Sequence, residues 1–141
     1  MKKIFVIAAA AVLSLCLLAG CGSKAVTVVE NGIIQGEGTY QVSATLEGGS
    51  GKASIETPVT VTVDSSNAMT ATIVWGSSNY DLMVVQGVEY TPTSTNKNST
   101  FQIPVSSLDQ PLSVQAETTA MSTAHLIDYT ITFDATSAQA A

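Results

Sequence analysis

Residues 59–75 decide the fold, and they read VTVTVDSSNAMTATIVW. The valines at 59, 61 and 63 alternate with threonines, and the alternation returns from Met69 to Trp75. Between the two runs stands the polar sequence Asp-Ser-Ser-Asn, which is typical of a turn. Alternation of apolar and polar residues indicates a strand with one buried face. The stretch therefore predicts two strands joined by a turn.

Similar short runs recur on both sides of this stretch. They span 40–46, 82–85, 88–91, 101–105, 112–116 and 125–133, and the last is the longest. About seven or eight strands, with turn signals every 8–12 residues or so and no convincing helix, are typical of a β-sandwich. We therefore predict an all-β fold, an immunoglobulin-like antiparallel β-sandwich.

The N-terminal segment has a different character from the rest of the chain. Lys2 and Lys3 precede an apolar run over 4–18, which is about as long as the core of a signal peptide. The run closes on Leu18-Ala19-Gly20-Cys21, which resembles the lipobox of bacterial lipoproteins. That resemblance implies cleavage before Cys21 and lipidation of Cys21 with palmitate-type acyl chains. Two or more chains on one residue give stable anchoring.

We accordingly expect four segments along the chain. Residues 1–20 form a signal peptide, 21–36 a lipidated cysteine and tether, 37–135 the sandwich and 136–141 a flexible tail. The protein would then lie at the extracytoplasmic face of the cell membrane. The alternatives are an ordinary secretory signal and one uncleaved helix.

Charge and cysteine content exclude several classes of protein. All eleven acidic residues follow Cys21 but only three of the five lysines do, and the chain has no arginine, so the mature formal charge is −8. Such a chain would be repelled by nucleic acid. Of the two cysteines, Cys16 leaves with the signal and Cys21 carries lipid, so we expect no disulfide. The core alone must stabilise the fold.

Residues that carry out catalysis are scarce. The chain has one histidine, His125, and it lacks a Gly-x-Ser-x-Gly elbow. Its acidic residues form no dense loop of the calcium-binding type, and Cys or His pairs at metal-ligand spacing are absent. We therefore expect a binding protein and not an enzyme.

The order of motifs between residues 38 and 134 resembles that of the NEAT (near-iron-transporter) domain family. The motifs that carry the resemblance are Gly38-Thr39-Tyr40, residues 70–74 followed by Ser77-Ser78-Asn79-Tyr80, residues 101–105, residues 108–112, His125-x-x-x-Tyr129 and Thr132-Phe133-Asp134. The family is an immunoglobulin-like sandwich on Gram-positive surfaces. Many members bind haem, some bind haemoglobin, and some bind neither. The resemblance thus implies a role in bacterial iron uptake.

The haem-binding members carry Tyr-x-x-x-Tyr on the last strand, where the first tyrosine ligates the iron. This chain has His125-x-x-x-Tyr129 at that place. Two residues four apart lie on the same face of a strand, about 13 Å apart along it. Histidine is an ordinary axial ligand of haem iron. The resemblance therefore implies His125 as the iron ligand and Tyr129 as its support.

The family's second signature is a Ser-x-x-x-x-Tyr lip before a proline. Counting back from Pro58 places Ser54 at the tyrosine position and Gly49 at the serine position, so the aromatic lid is replaced. Residues 48–52 are Gly-Gly-Ser-Gly-Lys. Lys52 is a candidate partner for a haem propionate, and otherwise a solvated charge.

Each candidate has a plainer interpretation. The alternative for His125 is a capped, partly exposed histidine, and for Met121, four residues earlier, a loop-packing residue instead of a second soft ligand. We expect Trp75 and Met83 in the core. Tyr80 and Tyr90 lie near turns. For both of them a position on a binding rim and a packing role are equally consistent with the sequence.

Two functions follow from these residues. The first is a membrane-anchored protein that binds haem or an iron complex in bacterial iron uptake, with a haem-carrying protein and an ABC uptake system as its expected partners. The second is a cofactor-free interaction module of the same fold that binds a protein partner through its loops.

Overall fold

The computed structural model describes residues 27–49, 51–119 and 126–141. These ranges contain twelve strands and one short 3-10 turn at Ala135–Ser137. The strands are β1 Val28–Glu30, β2 Ile33–Gln35, β3 Gly38–Val42, β4 Ala44–Gly48, β5 Val59–Val63, β6 Met69–Val74, β7 Tyr80–Val85, β8 Val88–Tyr90, β9 Thr100–Val105, β10 Leu112–Thr118, β11 Leu126–Phe133 and β12 Gln139–Ala140.

Two five-stranded sheets and one two-stranded ribbon contain all of these strands. The first sheet has the order β4-β11-β10-β7-β8, the second has the order β12-β3-β5-β6-β9, and β1 pairs with β2. Every strand pairing among the described residues is antiparallel. The prediction of an all-β, immunoglobulin-like sandwich is confirmed.

The stretch that decides the fold forms the β5–β6 hairpin. Val61 pairs with Ala71 and Val63 with Met69, and all four side chains are buried. The turn between the strands is closed by Asp64, whose carboxylate accepts hydrogen bonds from the N–H groups of Ser66 and Ala68. The threonines between the buried residues face away from the core.

The strand predicted over 40–46 is divided between the two sheets. β3 pairs with β5, whereas β4 pairs with β11 in the other sheet. The change occurs at Ser43, whose N–H donates to Ser137 Oγ (2.7 Å) and whose carbonyl accepts from Asp134 N–H (2.8 Å). Both sheets face the same core, so the inward alternation continues unchanged through Ser43. The sequence pattern therefore gives no sign of the switch.

The predicted tether over 21–36 is too long. Residues 28–35 form the β1–β2 ribbon, and Ile34 is fully buried in the core. The Asn31-Gly32 turn docks on the segment before β10, where Leu108 N–H donates to Gly32 O (2.7 Å). One deeply buried isoleucine and a backbone hydrogen bond are enough to join this ribbon to the sandwich.

The predicted flexible tail over 136–141 is also corrected. Asp134 caps the 3-10 turn through its side chain, which accepts from Thr136 N–H. The chain then returns as β12, where Gln139 pairs with Gln41 and Ala140 with Tyr40. These backbone pairs order the C-terminus as an edge strand.

The core lies between the two sheets. Its largest fully buried side chains are Trp75, Phe101 and Phe133. Trp75 and Met83 both lie in the core, as predicted. Over the described residues, no helix is long and apolar enough to cross a bilayer, and the apolar N-terminal run lies outside those residues.

Candidate functional site

The predicted site residues fall into two groups. His125, Met121 and the lipidation residue Cys21 lie outside the described residues. Tyr129, Lys52 and Ser54 lie within them. The structure therefore places the residues around Tyr129, and the role of His125 stays a prediction.

Tyr129 lies in the middle of β11, opposite Val114 on β10 and Gly48 on β4. Its side chain is turned into the sandwich and is only 4% exposed. The ring packs against Trp75 at a centroid distance of 5.2 Å, with the ring planes tilted by 60°. Its hydroxyl lies 3.4 Å from the hydroxyl of Tyr80 inside the protein.

Tyr80 was one of the tyrosines that sequence left open between rim and packing, and the structure buries it. A register shift between Glu117 and Thr118 places Thr118 opposite Tyr80, so that Asp81 is the extra residue of a β-bulge. From Met83, strict alternation would turn Tyr80 outward. The bulge turns it inward instead, which is a common consequence of such an insertion. Asp81 and Leu82, two outward residues in a row, mark the bulge in the structure, but because Leu82 is apolar the sequence pattern does not show it.

Trp75 completes this aromatic cluster of Trp75, Tyr80 and Tyr129. Its ring stacks on Tyr80 with centroids 4.2 Å apart and planes 21° from parallel. The indole Nε1 is buried and has no hydrogen-bond partner among the described residues. A buried polar group without a partner costs roughly 1–3 kcal/mol, and such groups are rare in folded proteins.

Gly48, Gly49 and Gly51, which we call the glycine lip, lie in the segment next to Tyr129. All three have positive φ angles, of 114°, 61° and 83°. A Cβ atom at Gly49 would lie 2.9 Å from Cε1 of Tyr129, and a Cβ at Gly48 would lie 2.5 Å from the carbonyl oxygen of Asp128. The backbone of the lip therefore rests directly on β11 and on the Tyr129 ring because it has no side chains there.

Lys52 and Ser54 follow the lip and are both exposed. The carbonyl of Ser54 accepts a hydrogen bond from Gly76 N–H (2.8 Å), and the neighbouring Ile55 forms a bridge with Trp75. The segment after the lip is thus joined to the strand that carries the indole. Ser54 itself shows no contact with Tyr129.

Burial affects the ionisation of the cluster. Removal from water raises the pKa of Tyr80 far above its ordinary value of 10.0, and the hydrogen bond with Tyr129 acts in the same direction. Tyr80 is therefore a neutral phenol at physiological pH, and it can donate a hydrogen bond.

A separate depression of about 330 Å³ lies on the outer face of the first sheet. It is lined by residues that include Val84, Gln115 and Asp128, and Gln115 Nε2 donates to Asp128 Oδ1 (3.0 Å). Its border also includes Tyr129 and Val114, so the depression reaches the strand that carries one member of the aromatic cluster. Within the described ranges, no group of three or more His, Cys, Asp or Glu side chains is placed to hold a metal ion.

Comparison with known proteins relates the fold to solved structures. No protein-family model matches the chain, and no curated protein matches it. The NEAT5 domain of IsdX2, a B. anthracis hemophore solved in complex with heme, is similar with a TM-score of 0.58 and 15% identity over 70% of this chain and 97% of that one. A point mutant of the same domain with heme gives a TM-score of 0.57 and 14% identity over 70% and 96%. The sandwich described above is a NEAT-like fold.

Proposed function

We propose that this protein is a lipid-anchored, extracytoplasmic haem-binding protein of bacterial iron uptake. Both similar structures are NEAT domains in complex with heme. The sequence motifs that resemble the family cover the same part of the chain. The observation that carries the proposal is the position of Tyr129, which lies on β11 beneath the glycine lip and beside two other aromatic rings.

The residues at this end of the sandwich fit a porphyrin in their chemistry. Three aromatic rings lie together there, closed off from solvent in this structure, and the unpartnered Trp75 Nε1 and the Tyr129 hydroxyl have spare hydrogen-bonding capacity. His125 would ligate the haem iron and Tyr129 would support His125. Met121 is the candidate for a second ligand. When bound, haem supplies an iron centre that can be passed on to an ABC uptake system.

The lip lies against one of these groups, because a Cβ atom at Gly49 would lie 2.9 Å from Cε1 of the Tyr129 ring. Glycines at positive φ are the residues that adopt such turns at least cost. Lys52, exposed just beyond the lip, is positioned along the chain to pair with a propionate, and Ser54 is a hydroxyl partner in the same segment.

A hemin titration of the purified mature protein tests the proposal. We expect a shift of the Soret band that saturates at one haem per protein, and a changed or lost shift in His125→Ala. Tyr90→Phe is the matched control, because Tyr90 lies on edge strand β8, away from Tyr129 in the sheet order. A wild-type protein that leaves the hemin spectrum unchanged would contradict haem binding, and an identical shift in His125→Ala would exclude His125 as ligand.

The second candidate is a cofactor-free module that binds a protein partner. It is favoured because aromatic side chains fill this end of the sandwich. Tyr80 and Tyr129 are 8% and 4% exposed, so the cluster is closed in this structure. Val88, 52% exposed on β8 next to Tyr90, is then the better contact surface. Loss of a surface partner in Val88→Asp and Tyr90→Ala, with no haem binding by the wild type, would favour this function. In either case we expect no enzymatic activity.

A further inference from the structure

The deepest feature of the cluster is the pairing of two phenols from strands that are not neighbours. Tyr80 begins β7 and Tyr129 lies on β11, with β10 between them in the sheet. On β10 the inward position between their partners Thr118 and Val114 is Ala116. A small side chain at that position leaves room for the two rings to approach each other across β10.

The backbone is built to bring Tyr80 to this place. Without the bulge at Asp81, Tyr80 would face solvent on the outer side of the sheet. Inserting a residue in a strand disrupts its hydrogen-bond ladder, and bulges of this kind often re-aim a side chain beside a functional site. The hydrogen-bond ladder between β7 and β10 is interrupted at Asp81, and this interruption places the Tyr80 phenol beside Tyr129.

Two further contacts hold Tyr80, one at its backbone and one at its ring. The backbone N–H of Tyr80 donates to Ser99 Oγ (3.1 Å), and Ser99 is itself fully buried. Trp75 stacks on one face of the ring. The Tyr80 hydroxyl therefore has a defined position, and the Tyr129 hydroxyl is the partner within reach.

The distance between the two hydroxyl oxygens is also informative. At 3.4 Å it is longer than the roughly 2.7–2.8 Å of a strong O–H···O bond. Neither hydroxyl is fully satisfied by the other, so the Tyr129 hydroxyl keeps the capacity to form a hydrogen bond with a ligand. The Tyr80 hydroxyl limits the directions in which the Tyr129 hydroxyl can point.

We propose that Tyr80 is a positioning residue, whose buried hydroxyl orients the Tyr129 hydroxyl for the ligand site. This inference rests on the proposed function for the identity of the ligand. It adds a residue from β7, outside the His125-x-x-x-Tyr129 motif, to the groups that determine how haem is held.

The orientation of Tyr129 can be tested first without haem. Urea unfolding of Tyr80→Phe, Tyr129→Phe and the double variant forms a double-mutant cycle. We expect the two changes to be non-additive by about five-fold in the unfolding equilibrium constant, because each removes the partner of the other. The parallel cycle with Tyr90→Phe should be additive. Additivity in both cycles would overturn the proposal.

The second arm uses the haem complex. Tyr80→Phe should weaken haem binding about five-fold and shift the Soret maximum of the complex relative to wild type, since the Tyr129 hydroxyl loses the group that orients it. Tyr90→Phe should leave both unchanged. A Tyr80→Phe complex with the wild-type affinity and Soret maximum overturns the inference even when the fold is weakened. If the wild type binds no haem, the proposed function fails, and the apo cycle still decides whether Tyr80 orients Tyr129.

Discussion

At the residue scale, glycines determine how closely the lip can approach β11. Gly48 pairs with Tyr129 and has a φ of 114°, a conformation that L side chains rarely adopt. An added Cβ would also meet the Asp128 carbonyl oxygen at 2.5 Å and Tyr129 Cα at 2.9 Å. These are backbone atoms, which cannot rotate away. Glycine at this position is therefore required for steric reasons on two independent grounds.

We expect Gly48→Ala to lower the free energy of unfolding by about 2–4 kcal/mol, combining backbone strain with overpacking. Gly87→Ala is the matched control, because Gly87 has a φ of 80° but open space around its Cα. That change should cost only about 1–2 kcal/mol, from strain alone. Urea unfolding measures both values. Equal costs would show that the lip does not rest on β11 as described.

A second residue-scale feature is the acid dependence of the β5–β6 turn. The Ser66 hydroxyl, together with the N–H groups of Ala68 and Ser66, lowers the pKa of Asp64 below its ordinary 3.8. A carboxylate with a depressed pKa contributes stability above its unfolded pKa, and that contribution is lost as the pH falls through the folded value.

Asp64→Ala should therefore be less stable than wild type at neutral pH, and the difference between the two proteins should shrink as the pH falls below 3.8, the ordinary pKa of this carboxyl. Urea midpoints at neutral pH and along an acid series measure this. Glu37→Ala, a change at another exposed acidic residue, is the control and should show no such convergence. A difference between Asp64→Ala and wild type that persists undiminished in acid would contradict the role of the carboxylate.

At the scale of elements, the β1–β2 ribbon is part of the domain. Ile34 is fully buried, while its neighbour Ile33 is only half-buried. Ile34→Ala should cost about 2–4 kcal/mol of unfolding free energy, and Ile33→Ala no more than about half of that. The comparison is sharp because the two changes remove the same atoms from adjacent positions. If both changes lower the free energy of unfolding by the same small amount, residues 28–35 behave as a tether and not as part of the domain.

The elements also show what the sequence can and cannot predict. Period-two alternation correctly predicts β5, β6 and the inward face of β11, because one side of each strand is buried. It does not reveal the switch at Ser43, where both sheets share one core, or the bulge at Asp81, which breaks the alternation for a single residue. Ribbon β1–β2 is too short for periodicity to detect. Tyr129 was identified from a motif, but its partner Tyr80 depends on long-range register, which no local pattern contains.

At the scale of the whole molecule, charge is distributed unequally between the two sheets. The strands of the sheet β12-β3-β5-β6-β9 carry no charged residue. The other sheet carries the carboxylates Glu47, Asp81, Glu89, Glu117 and Asp128. With eleven carboxylates against three lysines after residue 21, and no arginine, the domain has no electrostatic attraction to anionic lipid headgroups. The proposed anchoring at a membrane therefore depends on the N-terminal segment and not on the charge of the domain.

Cys21→Ser should accordingly move the protein from the membrane fraction to the soluble extracytoplasmic fraction or the medium. The reason is that two acyl chains give stable anchoring, whereas the acidic domain alone gives none. The matched control is Cys16→Ser, which alters the other cysteine of the same apolar segment and should leave the protein in the membrane. Cell fractionation followed by detection of the domain measures both. If Cys21→Ser stays in the membrane after a high-salt wash, the apolar run itself is the anchor, and the lipoprotein assignment is wrong while the sandwich and its aromatic cluster are unaffected.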